Sequence, residues 1–255
     1  MGFALVRGPF RPFRRRPLRR VPLRRLVVAN VPEAGERCHA AARESHHLLH
    51  VLRARPGERV RLVDGHATAA IAVLEGADEA GCACFLVVER LLTPPPPARI
   101  VLLGLPKPAL LEEALTLGTE GGATRFLLVR ARHSPPGEPR AERLDRVVRT
   151  AVTQCGRTDV PALQGPHVLA EALRDPSLPP TRWLGAPGGP SPAMPGDVDQ
   201  RDAGAAVAIG PEGGWSPEEV EALLAAGFAP LGLGPFVLRT PSAVGAALAR
   251  LWDGP

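Results

Sequence analysis

Ala208-Ile209-Gly210-Pro211-Glu212-Gly213-Gly214-Trp215-Ser216, followed by Leu233-Gly234-Pro235-Phe236-Val237-Leu238-Arg239-Thr240, decides how this chain reads. In each stretch an apolar run empties into a loop carrying Gly-Pro. Two such loops at the ends of two buried strands can pinch a flat ligand between their backbones, because glycine allows close approach. The first loop also opens a helix, with Ser216 as N-cap, Pro217 at the first helical position and Glu219 completing a capping box. Backbone N–H groups at a helix start suit a carboxylate or a polar ligand edge. The loop lacks the Gly-Lys-Ser/Thr of a phosphate-binding P-loop and the Gly-x-Gly-x-x-Gly of a dinucleotide fold. The pattern predicts a cofactor site near the C-terminus, and hence an enzyme.

Upstream, strands alternate with helices. Ile100–Leu105 is a continuous apolar run suited to a fully buried strand, and Arg125–Val129 and Val207–Ile209 repeat the pattern. Helices fit Ala109–Leu117, Arg140–Cys155, Ala170–Leu173, Pro217–Ala226 and residues 241–252, and Pro230–Leu233 reads as a last strand. Trp183–Gly204, rich in Gly and Pro, reads as a connecting loop. The alternation predicts an α/β domain on a parallel sheet over 98–255. Before it, Thr93-Pro94-Pro95-Pro96-Pro97 reads as a stiff linker, since consecutive prolines continue neither helix nor sheet. Residues 25–93 hold a strand at Leu26–Ala29, a helical turn at Glu44–Arg53, and a hairpin of Arg59–Val63 and Thr68–Leu74 around Asp64-Gly65. With Phe85–Glu89 these predict a small barrel-like β domain.

The sequence pI of 9.8 is a property of the tail. Residues 1–25 carry nine arginines and no acid; without them 22 basic residues face 26 acidic ones, about −4 for the rest. Residues 1–24 read as a basic, disordered tail, able to neutralise phosphates regardless of sequence or else a leader without function. It lacks the apolar core of a secretory signal, and no run is long enough to span a membrane. Aromatic residues are 4% with no Tyr, which argues against RNA binding through rows of stacked rings. The four cysteines (Cys38, Cys82, Cys84, Cys155) show no Cys-x-x-Cys spacing. They read as reduced thiols of a cytoplasmic protein, with no disulfide framework and no metal expected.

Taken together, the two loops, with about twenty residues between them, resemble the signature of the ribosomal RNA uridine-N3 methyltransferases of the SPOUT class. Three further segments are similar to that family: His46-His47-Leu48-Leu49-His50-Val51-Leu52-Arg53 with Gly57 and Asp64-Gly65; Lys107 after the first strand of the α/β domain; and Thr153-Gln154-Cys155-Gly156-Arg157 with Val160-Pro161. The resemblance covers about Arg25 to Leu251. It implies a C-terminal trefoil knot, an N-terminal PUA-like RNA-binding β-barrel, a homodimer, and methylation of N3 of a uridine in the 16S RNA of the small ribosomal subunit. S-adenosylmethionine (SAM) would lie bent between Ile209, Gly210, Pro211, Glu212, Gly213 and Gly214 and Leu233, Gly234, Val237, Leu238, Arg239 and Thr240.

The chain departs from the family pattern at Pro241, where a glutamate is usual, and at Thr119-Glu120-Gly121-Gly122 in place of a Glu-Leu-Gly segment. The tail and the polyproline linker are additions.

Several residues keep two readings. Arg239 is the candidate to neutralise charge on the target base, or else the ion-pair partner of Glu212. Glu212, beside Glu120, is a candidate proton acceptor, or a partner for a ligand amine or ribose hydroxyl. His46, His47 and Arg53, with His50 nearby, either approach RNA phosphates or cap their helix. Gln154 and Arg157 contact RNA, or form a cap and a salt bridge. Lys107 reaches RNA or the cofactor carboxylate, or is a solvated loop lysine. If Pro241 removes transfer chemistry, the alternative is a SPOUT scaffold that binds RNA without catalysis or methylates another substrate.

Overall fold

Arg24 and Arg25, assigned to the tail and its border by composition alone, begin the first strand. The computed structural model describes residues 23–92, 96–189 and 204–252. The rest of the basic tail, the start of the polyproline linker and residues 190–203 lie outside the described residues. Strand β1 (Arg24–Val27) pairs in parallel with β3 (Arg59–Val63), and Arg24 meets Glu58 at 3.3 Å. β3 turns into β4 (Thr68–Ala77), which pairs antiparallel with β5 (Ala83–Leu92); β5 pairs with the short β2 (Arg37–His39). The sheet order is β1-β3-β4-β5-β2. The Asp64-Gly65 hairpin forms as expected: Asp64 Oδ1 accepts the N–H groups of His66 (2.7 Å) and Thr68 (3.1 Å), and Gly65 takes φ +81°.

One core cluster draws on all five strands, with Leu26, Leu62, Leu74, Phe85 and Val87 buried and Cys38 packed against them. The expected helical turn is α1 (Ala42–His46) running into a π-helical turn, His47–Val51. Leu48 is buried under it, while Leu52 is exposed and Arg53 ends the turn with φ +52°. Ser45, though polar, is fully buried, because its hydroxyl donates to Ala40 O and accepts the Ala83 N–H.

The second sheet has six strands, all parallel: β6 (Arg99–Gly104), β7 (Arg125–Arg130), β8 (Ala162–Val168), β9 (Thr181–Ala186), β10 (Ala205–Ile209) and β11 (Ala229–Gly232). Their order is β11-β9-β10-β6-β7-β8. Two of them escaped the sequence. β9 occupies the start of the presumed loop Trp183–Gly204. Its Gly185 looks like a loop residue, yet a Cβ there would stand 2.6 Å from Ile209 Cδ1 on β10. β8, at the sheet edge, buries almost none of its residues, so no apolar run announces it.

Helices α2 (Pro108–Glu120), α3 (Ala141–Cys155) and α6 (Thr240–Trp252) cover one face, with Leu111, Leu115, Leu144, Val148, Val244 and Leu248 in its core. α4 (Leu169–Ala172) and α5 (Pro217–Ala225) cover the other, around Leu169, Leu223 and Phe228. Chain order and sheet order part company at the end. After edge strand β11 the chain passes to the opposite side, and α6 packs on α2 and central strand β10.

The two sheets are joined by a small apolar cluster of Val27, Val63, Ala69 and Val152, and by Val160 N–H donating to Gly65 O at 3.0 Å. Arg157 anchors this junction. Its Nη1 donates to the carbonyls of Thr119 (2.8 Å) and Ala123 (2.7 Å), and its other nitrogens grip Asp159 in a two-point pair. These bonds occupy the guanidinium within the chain. Arg157→Met is expected to lower unfolding free energy by about 2–3 kcal/mol, taking their guanidinium partner from Asp159 and the Ala123 carbonyl, while the Thr119 carbonyl keeps the Gly122 N–H. Urea denaturation followed by circular dichroism reads this directly.

Candidate cofactor pocket

The chain's two glycine loops meet over the C-terminal ends of β9, β10 and β11, the usual ligand side of an open parallel sheet. They enclose a pocket of about 510 Å³, well within the span of small-molecule sites. Ile209, Gly210, Pro211, Glu212, Gly213 and Gly214 line one side, and Leu233, Gly234, Val237, Leu238 and Thr240 the other. Arg239 does not line it.

The end of β9 (Leu184, Gly185, Ala186, Pro187) supplies a third wall, and Trp215, Val220, Leu224, Pro230, Phe236 and Ala243 complete it. The third wall was hidden in sequence because β9 itself was read as loop. Of the others, Trp215 and Phe236 belong to the two motifs and Pro230 to β11, while Val220, Leu224 and Ala243 face inward from α5 and α6, where helical periodicity does not mark the wall of a pocket.

Close packing sets the loop's path. A Cβ on Gly104, at the end of β6, would lie 2.6 Å from Pro211 Cδ and 3.2 Å from the Trp215 ring. One on Gly213 would lie 2.8 Å from His133 Cβ. Gly214 sits at φ +71°, a turn conformation that glycine adopts without penalty, and its N–H donates to Pro211 O at 2.9 Å. The Thr240 hydroxyl donates to Gly210 O at 3.1 Å, and so ties the second loop to the first.

The predicted capping box is present. Glu219 N–H donates to Ser216 Oγ and Ser216 N–H to the Glu219 carboxylate at 2.8 Å. That carboxylate also accepts the Arg132 N–H at 2.8 Å, which docks the loop after β7 onto the start of α5. The Ser216 hydroxyl, then Glu218's own N–H and the charge of Arg132, hold Glu218 below the usual carboxylate range.

Arg239 and Glu212 do not pair. Glu212 instead accepts the Lys107 N–H at 3.3 Å, linking the glycine loop to the residue that caps α2. Arg239 lies against Glu113 of α2, Nη2 to Oε1 at 3.3 Å, with 65% of its side chain exposed. An exposed pair of this kind contributes little and releases its cation readily. The Lys107 side chain is exposed, as is Gln154, whose carbonyl accepts from Arg25. His46, His47, His50 and Arg53 form an exposed group on the other domain, with the rings of His46 and His50 4.9 Å apart. None of these four lines the pocket.

A pocket walled by glycine backbone, aliphatic side chains and few charges suits a ligand with a flat ring and polar edges. Catalytic side chains must then come from its rim.

Comparison with known proteins fits this arrangement. A family model of the RNA methyltransferase domain matches residues 94–252, and one of the RNA methyltransferase PUA domain matches residues 41–84. The ribosomal RNA small subunit methyltransferase E of Mycobacterium bovis is 34% identical over 254 residues, covering 89% of this chain and 93% of that protein. Its namesake from Synechocystis is 29% identical, covering 89% of this chain and 76% of that protein. A crystal structure of ribosomal RNA small subunit methyltransferase E from Neisseria gonorrhoeae, bound to S-adenosyl methionine, superposes with a TM-score of 0.78 at 25% identity; the match covers 89% of this chain and 95% of that one. A Legionella pneumophila chain solved with SAM shares the fold at a TM-score of 0.79 and 24% identity, over 91% and 97% of the two chains. With a matching domain model over more than half its length and a 34% identical relative aligned nearly end to end, the chain belongs to the RNA methyltransferase family of the ribosomal RNA small subunit methyltransferase E proteins.

Proposed function

We propose that this chain is a SAM-dependent methyltransferase that modifies N3 of a uridine in the 16S RNA of the small ribosomal subunit. The observation that carries the reading is the pocket between two glycine loops cross-tied by Thr240 and Gly210, in a chain whose relatives bear that enzyme's name. SAM supplies an electrophilic sulfonium methyl when bound. The residues that would hold it are those of the two loops, with the end of β9, mainly through backbone groups and apolar contact.

The remaining chemistry falls to the rim. Attack by the uridine N3 requires loss of its imide proton and leaves negative charge spread over O2 and O4. Arg239, exposed beside the second loop and only weakly held by Glu113, neutralises that charge by a charge-assisted hydrogen bond. Glu212 stands at the mouth as proton acceptor or as partner of a cofactor amine or hydroxyl. His46, His47 and Arg53 of the first domain, with Lys107 and Gln154, meet the RNA backbone and set the register of the base. Arg157 acts from behind, holding the domain junction.

Pro241 is compatible with an active enzyme. The first helical bond of α6 runs from Ala243 N–H to Arg239 O at 2.9 Å, so the N–H that proline lacks falls where no helical acceptor waits. The loss at this position is a carboxylate, not a turn of helix.

In the same reading, residues 25–93 close into a PUA-like β-barrel and residues 98–255 form the SPOUT domain. The crossing from β11 to α6 threads a trefoil knot. Two copies associate in the cytoplasm through the face bearing Phe236 and Val237, exposed at 79% and 81% beside the pocket. Calorimetry with SAM tests the pocket: one molecule per chain is expected, and no binding would sink the reading. Thr240→Val cuts the tie between the loops and leaves Gly210 O unpartnered. It is expected to weaken SAM by about tenfold and cost about 1 kcal/mol of stability.

A further inference from the structure

Far from the glycine loops in the fold, at the β2 edge of the five-stranded sheet, three chemically different donors converge. β2 and β5 run antiparallel with His39 opposite Cys84, while their neighbours Cys38 and Phe85 turn into the core. Asp78 opens the turn from β4 to β5. His39 Nδ1 lies 3.0 Å from Asp78 Oδ2 and 3.6 Å from Cys84 Sγ, and all three donor atoms lie within 4.8 Å of one another. The turn is fixed by its own bonds: Cys82 N–H donates to Asp78 Oδ1 at 2.8 Å, and Asp78 N–H to Cys82 O at 2.9 Å. That leaves Asp78 Oδ2 directed at the histidine.

A cysteine, a histidine and an aspartate could be a nucleophilic relay, but the geometry argues against one. A relay uses the two imidazole nitrogens in opposite directions, one toward the nucleophile and one toward the acid. Here sulfur and carboxylate share the same nitrogen. The thiol is also shifted the wrong way, since burial and then the charge of Asp78 push Cys84 up.

Convergence on one point is what a cation requires. We propose that His39, Asp78 and Cys84 form a binding site for a zinc-class divalent metal ion, with a fourth position open to water. Tetrahedral ligation with bonds of about 2.0 Å to N and O and about 2.3 Å to S places N and O about 3.3 Å apart and N and S about 3.6 Å apart. The N···S separation already matches, N···O must lengthen by about 0.3 Å, and Asp78 Oδ2 and Cys84 Sγ, within 4.8 Å of each other, must come to about 3.6 Å as the ion takes the place of the shared proton. Thiolate plus imidazole selects zinc over magnesium or calcium, which prefer all-oxygen shells. On binding, the thiol gives its proton to solvent. The ion would tie a three-residue edge strand to the neighbouring turn, clasping the open side of the RNA-binding domain. The ligands lie 39 and 6 residues apart, which is why no metal motif is visible in sequence.

The test uses the full chain stripped by a chelator. Calorimetry with Zn²⁺ should show one equivalent bound at micromolar protein, and Co²⁺ should give a near-ultraviolet thiolate charge-transfer band. Cys84→Ser should abolish that band, and both Cys84→Ser and Asp78→Asn should weaken Zn²⁺ by at least about tenfold. The double variant His46→Ala/His50→Ala should leave both signals unchanged, because among the described residues that exposed pair has no third donor near it. On the unsubstituted chain, Zn²⁺ should protect Cys84 from alkylation while exposed Cys155 reacts freely. Absence of stoichiometric binding overturns the proposal. So does binding that survives Cys84→Ser or vanishes with the His46/His50 pair, or alkylation of Cys84 unaffected by the metal.

Discussion

Arg239→Ala is expected to lower kcat/KM for RNA methylation by about 10²–10³-fold while SAM affinity stays within about threefold. The side chain does not line the pocket and stands 65% exposed at its rim, so the loss should fall on the transfer step and not on cofactor binding. Its present partner, Glu113, holds it by contacts of 3.3–3.5 Å on α2. Glu113→Gln therefore offers a contrast. If Arg239 served only to brace the second loop against α2, both substitutions would loosen that loop and weaken SAM alike. If Arg239 works on the base, Glu113→Gln leaves the rate nearly intact. Single-turnover transfer to RNA, with SAM binding measured on the same samples, separates the two.

Gly104→Ala is expected to weaken SAM by about 10–100-fold and to cost about 1–3 kcal/mol of stability. The added methyl would press on the ring and nitrogen of Pro211, at 2.6 and 3.1 Å, and on Trp215 at 3.2 Å. Gly104 ends a fully buried strand, so β6 has little freedom to yield and the Gly210–Gly214 loop must move. Gly245→Ala is the contrast, a helical glycine with no atom within 4 Å of its Cβ position and no left-handed backbone; it should leave SAM binding alone. An unchanged SAM affinity in Gly104→Ala would show that the loop's path does not set the pocket.

What was legible in the sequence was whatever leaves a local mark. The central strands β6, β7 and β10 are buried on both faces and read as apolar runs, and the Ser216 capping box appears bond for bond. Asp64-Gly65 marked its hairpin because one carboxylate satisfies two turn N–H groups. Elements whose reason is tertiary were not legible. β8 is a solvent-facing edge, and β9 carries a glycine demanded by Ile209 of a neighbouring strand.

The site divides the same way. Eleven of the twelve residues expected to hold the cofactor line one pocket, since the loops after β10 and β11 leave the sheet at the same end and flank β9. The charged residues fared differently, because an ion pair is chosen by whichever helix packs nearby. Arg239 found Glu113 on α2, and Arg157 found Asp159 and two carbonyls. Neither partner is announced by spacing. The β9 wall and the His39–Asp78–Cys84 convergence likewise exist only once the strands are paired.

The most direct measurement incubates the protein and SAM carrying a labelled methyl group with small ribosomal subunits from cells lacking the modification, then maps the label on the 16S RNA. The account predicts one methyl per subunit, on N3 of a single uridine, seen as a reverse-transcription stop and as N3-methyluridine by mass spectrometry, and lost in Arg239→Ala. Tight SAM binding with no transfer, or a methyl on another atom or another RNA, would contradict it.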